Sequence, residues 1–195
     1  KDHRVVYIDD KINLSENDII FCNTNYVDLL FKSLKNCELK NLKLISHQTD
    51  IPINKKFFEK KPDCISEWYS INVDFTHKDL KPLPLGLANY YSPKNLFYEH
   101  FSNEKLDRVH KIQKIYVNFR VNTNRKVRQK ILNNLEDKEF CNIDNHSDDL
   151  AHYVSSIASH KFVACPEGNG IDTHRLWETI YAGSIPILKN SKEKR

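Results

Sequence analysis

Short apolar runs alternate with helix-period segments along the whole chain, and that alternation predicts an α/β protein. In the first half, residues 5–8 (VVYI), 18–22 (DIIFC) and 42–46 (LKLIS) read as strands, with a helix over 26–35 between the last two. Phe57 and Phe58 fall on a short helix. Residues 64–69 (CISEWY) and 82–87 (PLPLGL) read as extended, because the prolines and Gly86 exclude helix from the latter. In the second half, 114–119, 139–143, 162–165 and 185–188 read as strands. A helix is predicted over 124–135, where Val127, Ile131, Leu132 and Leu135 share a face. Ser147 is expected to cap another, with Asp148 and Asp149 in its first turn and Leu150, Tyr153, Val154, Ile157 and Ala158 on its apolar face. A third, over 173–182, ends at Gly183. Strand–helix–strand repetition predicts parallel sheets with right-handed crossovers. Residues 91–113 lack regular patterning and read as a linker between an N-terminal lobe, 1–90, and a C-terminal lobe, 114–195.

Composition narrows the partners. With 39% hydrophobic and 29% charged residues, the chain of 195 is expected to be globular with a real core. A net charge of +4 suits a polyanionic small molecule and is too weak to argue for nucleic acid. The one Lys-aromatic cluster, 55–61 (KKFFEKK), reads as a solvated helix, so no nucleic-acid partner is expected. No run of about 18 apolar residues occurs, so no membrane span is expected within this stretch. The chain begins at Lys1 and contains no Met, and it reads as an excerpt of a longer protein. Five cysteines without CxxC or zinc spacing predict buried free thiols.

The chemistry concentrates in 165–178 (CPEGNGIDTHRLWE). A strand ends, Gly168 and Gly170 allow a tight turn and close approach of a ligand, and Asp172 or Thr173 can cap the helix that follows. A helix N-terminus is an anion site, with orphan N–H groups and a partial positive charge. His174 and Arg175 in the first turn oppose the helix dipole, a placement that a bound anion would offset. Glu178 lies on the same face, suited to accept hydrogen bonds from ribose hydroxyls.

The string FVACPEGNGIDTHRLWETIYAGSIPIL (162–188) resembles the donor-binding segment of exostosin-like glycosyltransferases, which have the GT-B fold. ISHQTD (45–50), SEWYSINVDF (66–75), PLPLGLAN (82–89) and IYVNFRVNTNRKVR (115–128) resemble other segments of that family in the same order. The resemblance implies two Rossmann-like lobes with parallel sheets and an active site in the cleft between them. It implies that the C-terminal lobe is truncated here, before its final helices. It further implies transfer of a sugar from a nucleoside diphosphate sugar to a glycan or other hydroxyl acceptor, with inversion. By matching positions, Arg175 and Glu178 become phosphate and ribose contacts and Arg120 a second diphosphate contact, with Asn118 nearby.

His47 and Asp50 follow a strand in the lobe that would face the acceptor, and either is a candidate general base. Trp68 and Tyr69 read as core before they read as a sugar platform. No D-x-D string occurs, so leaving-group stabilisation is expected from Arg120, Arg175 and the helix N-terminus, with no metal and no cofactor beyond the sugar donor. The alternative is a non-catalytic nucleotide-sugar or glycan binding module of the same fold.

Overall fold

The computed structural model describes residues 13–90, 96–102, 110–144 and 149–189. The strand expected at 5–8, the cap expected at Ser147 and the first-turn place expected for Asp148 lie outside them. Two four-stranded sheets, each wholly parallel, make this an α/β protein with two layered units.

The first sheet runs β1 (Ile19–Asn23), β2 (Leu42–His47), β3 (Ile65–Ser70), β4 (Leu80–Pro82), in sequence order. Alternation along β2 buries Leu42, Leu44 and Ser46 on one face, as a half-covered strand requires. Helices α1 (Val27–Ser33) and α2 (Lys55–Phe58) contribute Val27, Phe31 and Phe58 to the core beneath that face. At its centre Trp68 is fully buried, with the Phe31 and Phe57 rings edge-on at 5.2 and 5.3 Å. Its indole N–H donates to Ser46 Oγ at 2.8 Å, which satisfies the one polar group the ring brings into the core. Trp68 is therefore core. The last strand is shorter and earlier than the expected 82–87. Pro82 and Pro84 carry no N–H for a ladder, and only the Leu83 N–H extends the pairing, to the Ser70 carbonyl at 2.8 Å.

The second sheet has the order β6-β5-β7-β8, built from β5 (Ile112–Val117), β6 (Cys141–Ile143), β7 (His160–Ala164) and β8 (Ile185–Ile187). Helix α3 (Arg125–Leu135) packs Ile131, Leu132 and Leu135 against Val117 and Ala164. A second cluster joins Tyr116 and Val163 to α4 (Leu150–Ser159), through Ile157 and Ala158, and to Ala182, just past α5 (His174–Tyr181). Asp149 is itself the cap of α4, accepting from His152 N–H, rather than a first-turn residue. In this order the chain leaves β5 toward β6 on one side and reaches β7 on the other. The reversal of direction opens a crevice at the carboxyl ends of β5 and β7, where ligands bind in open parallel sheets.

The span between the sheets is attached to the second one. Leu96 is fully buried in its core. The Lys111 ammonium donates to the Ala158 and Ala182 carbonyls, at the C-terminal ends of α4 and α5, where a helix favours a cation. All five cysteines are free, with Cys64 and Cys165 buried and the other three half-buried. No helix among the described residues is long and apolar enough to cross a membrane.

Candidate functional site

A cleft of about 840 Å³ lies between the carboxyl ends of the two sheets. One wall is the end of β2 and the loop after it, with His47, Gln48, Thr49 and Asp50. The other is the turn at Gly168–Gly170 and the first turns of α5. Of the residues singled out from sequence, His47, Asp50, Gly168, Gly170, Asp172, Thr173, His174, Arg175 and Glu178 all line this space. Arg120 and Asn118 do not. Asn118 is buried beside the cleft, donating to Tyr116 Oη at 3.1 Å and, more weakly, to Asp144. Arg120 is exposed, and its carbonyl accepts from Arg128 and Thr123.

The N-terminus of α5 is left without a side-chain cap. Thr173 occupies the cap position in extended conformation, yet its side chain caps nothing. Asp172 is committed elsewhere: its carboxylate accepts the Leu85 N–H at 2.7 Å and the Trp177 indole N–H at 2.9 and 3.0 Å. The first-turn N–H groups of this eight-residue helix therefore keep their affinity for an anion.

Arg175 adds to that affinity. Its guanidinium lies 5.1 Å from the centre of the Tyr153 ring, and Nη1 is buried with no hydrogen-bond partner. A buried donor without an acceptor costs about 1–3 kcal/mol, which an acceptor bound beside it would offset. The intrahelical ion pair that spacing allows does not form. Glu178, 5% exposed, instead accepts the Tyr153 hydroxyl at 2.8 Å through Oε2. Burial above all, with Glu178 beside it, holds the Tyr153 hydroxyl well above its usual pKa. Tyr153 thus stays a donor and fixes Glu178, leaving Oε1 for a ligand.

A second guanidinium, which the sequence reading passed over, meets the same space. Arg128 of α3 is 7% exposed. It donates to the carbonyls of Arg120 at 2.8 Å, Glu167 at 2.9 Å and Pro166 at 3.3 Å, holding the strand-to-helix turn from below. Burial first, and then the Arg175 charge, lower its pKa to about 10. Among the described residues neither arginine has a carboxylate within ion-pair distance. A signal for Arg128 existed: it stands four residues before Leu132 and seven before Leu135, on the apolar stripe of α3, where a charge needs a reason.

Both glycines serve close approach. A Cβ on Gly168 would lie 2.9 Å from Arg128 Nη2, and one on Gly170 would lie 2.7 Å from Asn72 Oδ1.

The imidazoles in the cleft are polarised in opposite senses. His47 Nδ1 accepts the Gln48 N–H at 2.8 Å, so its neutral ring carries the proton on Nε2. His174 Nδ1 donates to the Gly86 carbonyl at 2.8 Å, so its neutral ring leaves Nε2 unprotonated. Burial, with a smaller contribution from His174, lowers the His47 pKa and favours the neutral form. In that form His47 presents a donor to the cleft rather than a base. Asp50 is exposed at the cleft's edge. No group of three or more His, Cys, Asp or Glu side chains converges to hold a metal among the described residues. No family model matches the chain, and no curated protein matches it.

Proposed function

We propose that this chain is the donor-binding part of a glycosyltransferase of the GT-B type, similar to the exostosin-like enzymes, that moves a sugar from a nucleoside diphosphate sugar to a hydroxyl acceptor. The observation that carries the reading is the meeting of Arg128 and Arg175 beside an uncapped helix N-terminus, with Arg175 Nη1 buried and unpartnered. Two guanidiniums that repel one another favour an anion nearby, and a diphosphate has the charge to balance both.

In this reading the diphosphate accepts hydrogen bonds from the first turn of α5 and from Arg175, with Arg128 behind the turn and Arg120 as a further contact implied by the family resemblance. Glu178 Oε1 accepts from the ribose hydroxyls. The acceptor oxygen attacks the anomeric carbon from the face opposite the diphosphate. The carbon–oxygen bond to the diphosphate breaks, its electron pair leaves on the phosphate oxygen, and the anomeric centre inverts. Fixed positive charge at the leaving group lowers this barrier without reorganisation, so the transfer is proposed to need no metal. The acceptor proton passes to Asp50, because His47 offers a donor in its neutral state. That same engagement of His47 favours the second reading, a nucleotide-sugar binding module without turnover, in which no base is needed.

Arg175→Ala tests the anion site. Loss of a charge-assisted contact is expected to weaken UDP or GDP binding by about 1.5–3 kcal/mol, read by calorimetry. Unchanged affinity for whichever nucleotide the wild type binds would remove Arg175 from the donor site.

A further inference from the structure

One amide side chain touches both walls of the cleft. Asn72 follows the carboxyl end of β3, is 4% exposed and has a φ of 55°, a left-handed conformation that Asn adopts more readily than most residues. Its Nδ2 donates to the Thr49 carbonyl at 3.1 Å, and its Oδ1 accepts the Asp172 N–H at 2.9 Å. The amide has a single orientation here, since a carbonyl only accepts and a backbone N–H only donates. Thr49 stands between His47 and Asp50 on the first wall. Asp172 stands between the glycine turn and α5 on the second, and Gly170 packs directly on the amide.

We propose that Asn72 is a positioning residue that sets the spacing between the loop carrying Asp50 and the loop that holds the donor. This rests on the sugar-transfer reading above. Each loop has anchors of its own: Thr24 Oγ1 donates to the His47 carbonyl at 3.1 Å, and Arg128 holds the carbonyls of Pro166 and Glu167. Two further hydrogen bonds across the seam, Leu85 N–H to Asp172 and His174 to the Gly86 carbonyl, tie the start of α5 to the segment after β4 and not to the Asp50 loop. Loss of the Asn72 amide therefore alters the distance between the walls while leaving each wall built. An in-line displacement depends on that distance, and a misplacement of about 1 Å costs on the order of 100-fold in rate.

The chain carries its own reporters. It has two tryptophans. The Trp177 indole N–H donates to Asp172 at the seam, and that of Trp68 donates to Ser46 in the first core. In the full chain labelled with ¹⁵N-tryptophan, Asn72→Ala is expected to move the Trp177 indole resonance and leave that of Trp68 in place. Gly170→Ala, which presses a methyl group into the same amide from the opposite lobe, is expected to do likewise. In Asn72→Ala kcat falls about 10–100-fold, while KM for the donor and affinity for the nucleoside diphosphate stay within about threefold. An unmoved Trp177 resonance or an unchanged kcat overturns the proposal. So does movement of both indoles together with a fall in melting temperature, which makes Asn72 a determinant of the first lobe's fold alone. Should the wild type release nucleotide from no sugar donor, the transfer reading fails by itself, and the Trp177 resonance still decides whether Asn72 joins the walls.

Discussion

Asp50→Asn is expected to lower kcat by about 10²–10⁴-fold, the usual consequence of removing a general base, with nucleotide affinity unchanged. The asymmetry follows from where the groups stand. Asp50 lies on the first wall, whereas the anion site is built from α5, Arg175 and Arg128 on the second. Asn keeps the size and much of the hydrogen bonding of Asp, so a fall in rate without a change in binding isolates the proton transfer. Single-turnover rates beside calorimetric titrations read both quantities. Equal turnover by wild type and Asp50→Asn would move the base elsewhere. His174, whose Nε2 is unprotonated in the neutral ring, would then be the first group to examine.

Arg128→Met carries the largest expected effect on stability. Three carbonyls, of Arg120, Pro166 and Glu167, lose a charged donor. The Arg120 carbonyl keeps the Thr123 hydroxyl at 3.1 Å, but the site is only 7% exposed and gives water little access to the others. Hydrogen bonds to charged groups contribute about 1.5–3 kcal/mol each and do not add. A loss of about 3–5 kcal/mol follows, which lowers Tm by on the order of 10 °C in a chain of this size. Part of that loss is offset because Met takes no buried charge out of water. Arg128→Lys keeps the charge but not the planar fork, and an ammonium cannot reproduce the three-way contact. It is expected to fall between wild type and Arg128→Met. Thermal denaturation measures both. A Tm equal to wild type in Arg128→Met would show that the turn is held by other means.

The strands of both sheets were legible because their apolar runs are short and bounded. Residues 42–46 and 18–22 came within a residue of β2 and β1. The glycine turn and α5 were legible because G-N-G, a cap position and two cationic side chains stand together in one string. What escaped depends on distant partners. Asp172 looked like a helix cap, yet its acceptors are spent on Leu85, 87 residues away, and on Trp177. Asn72 has its partner, Asp172, 100 residues on. Arg128 was hidden by its own charge: a helix scanned for apolar periodicity assigns an arginine to solvent. Its position on the buried stripe was the clue. The order β6-β5-β7-β8 was also beyond sequence, because alternation predicts parallel strands without saying which strand neighbours which.

Release of nucleotide from nucleoside diphosphate sugars decides whether this protein transfers sugar. Water can take the place of a hydroxyl acceptor, so the protein can be screened against a panel of UDP-, GDP- and other nucleotide-linked sugars without knowledge of the acceptor. One nucleotide–sugar pair is expected to be hydrolysed above background, and Arg175→Ala to slow that release as its donor binding weakens. Binding of a nucleotide sugar without release from any donor would favour the non-catalytic module, and neither binding nor release across the panel would contradict a nucleotide-sugar site outright.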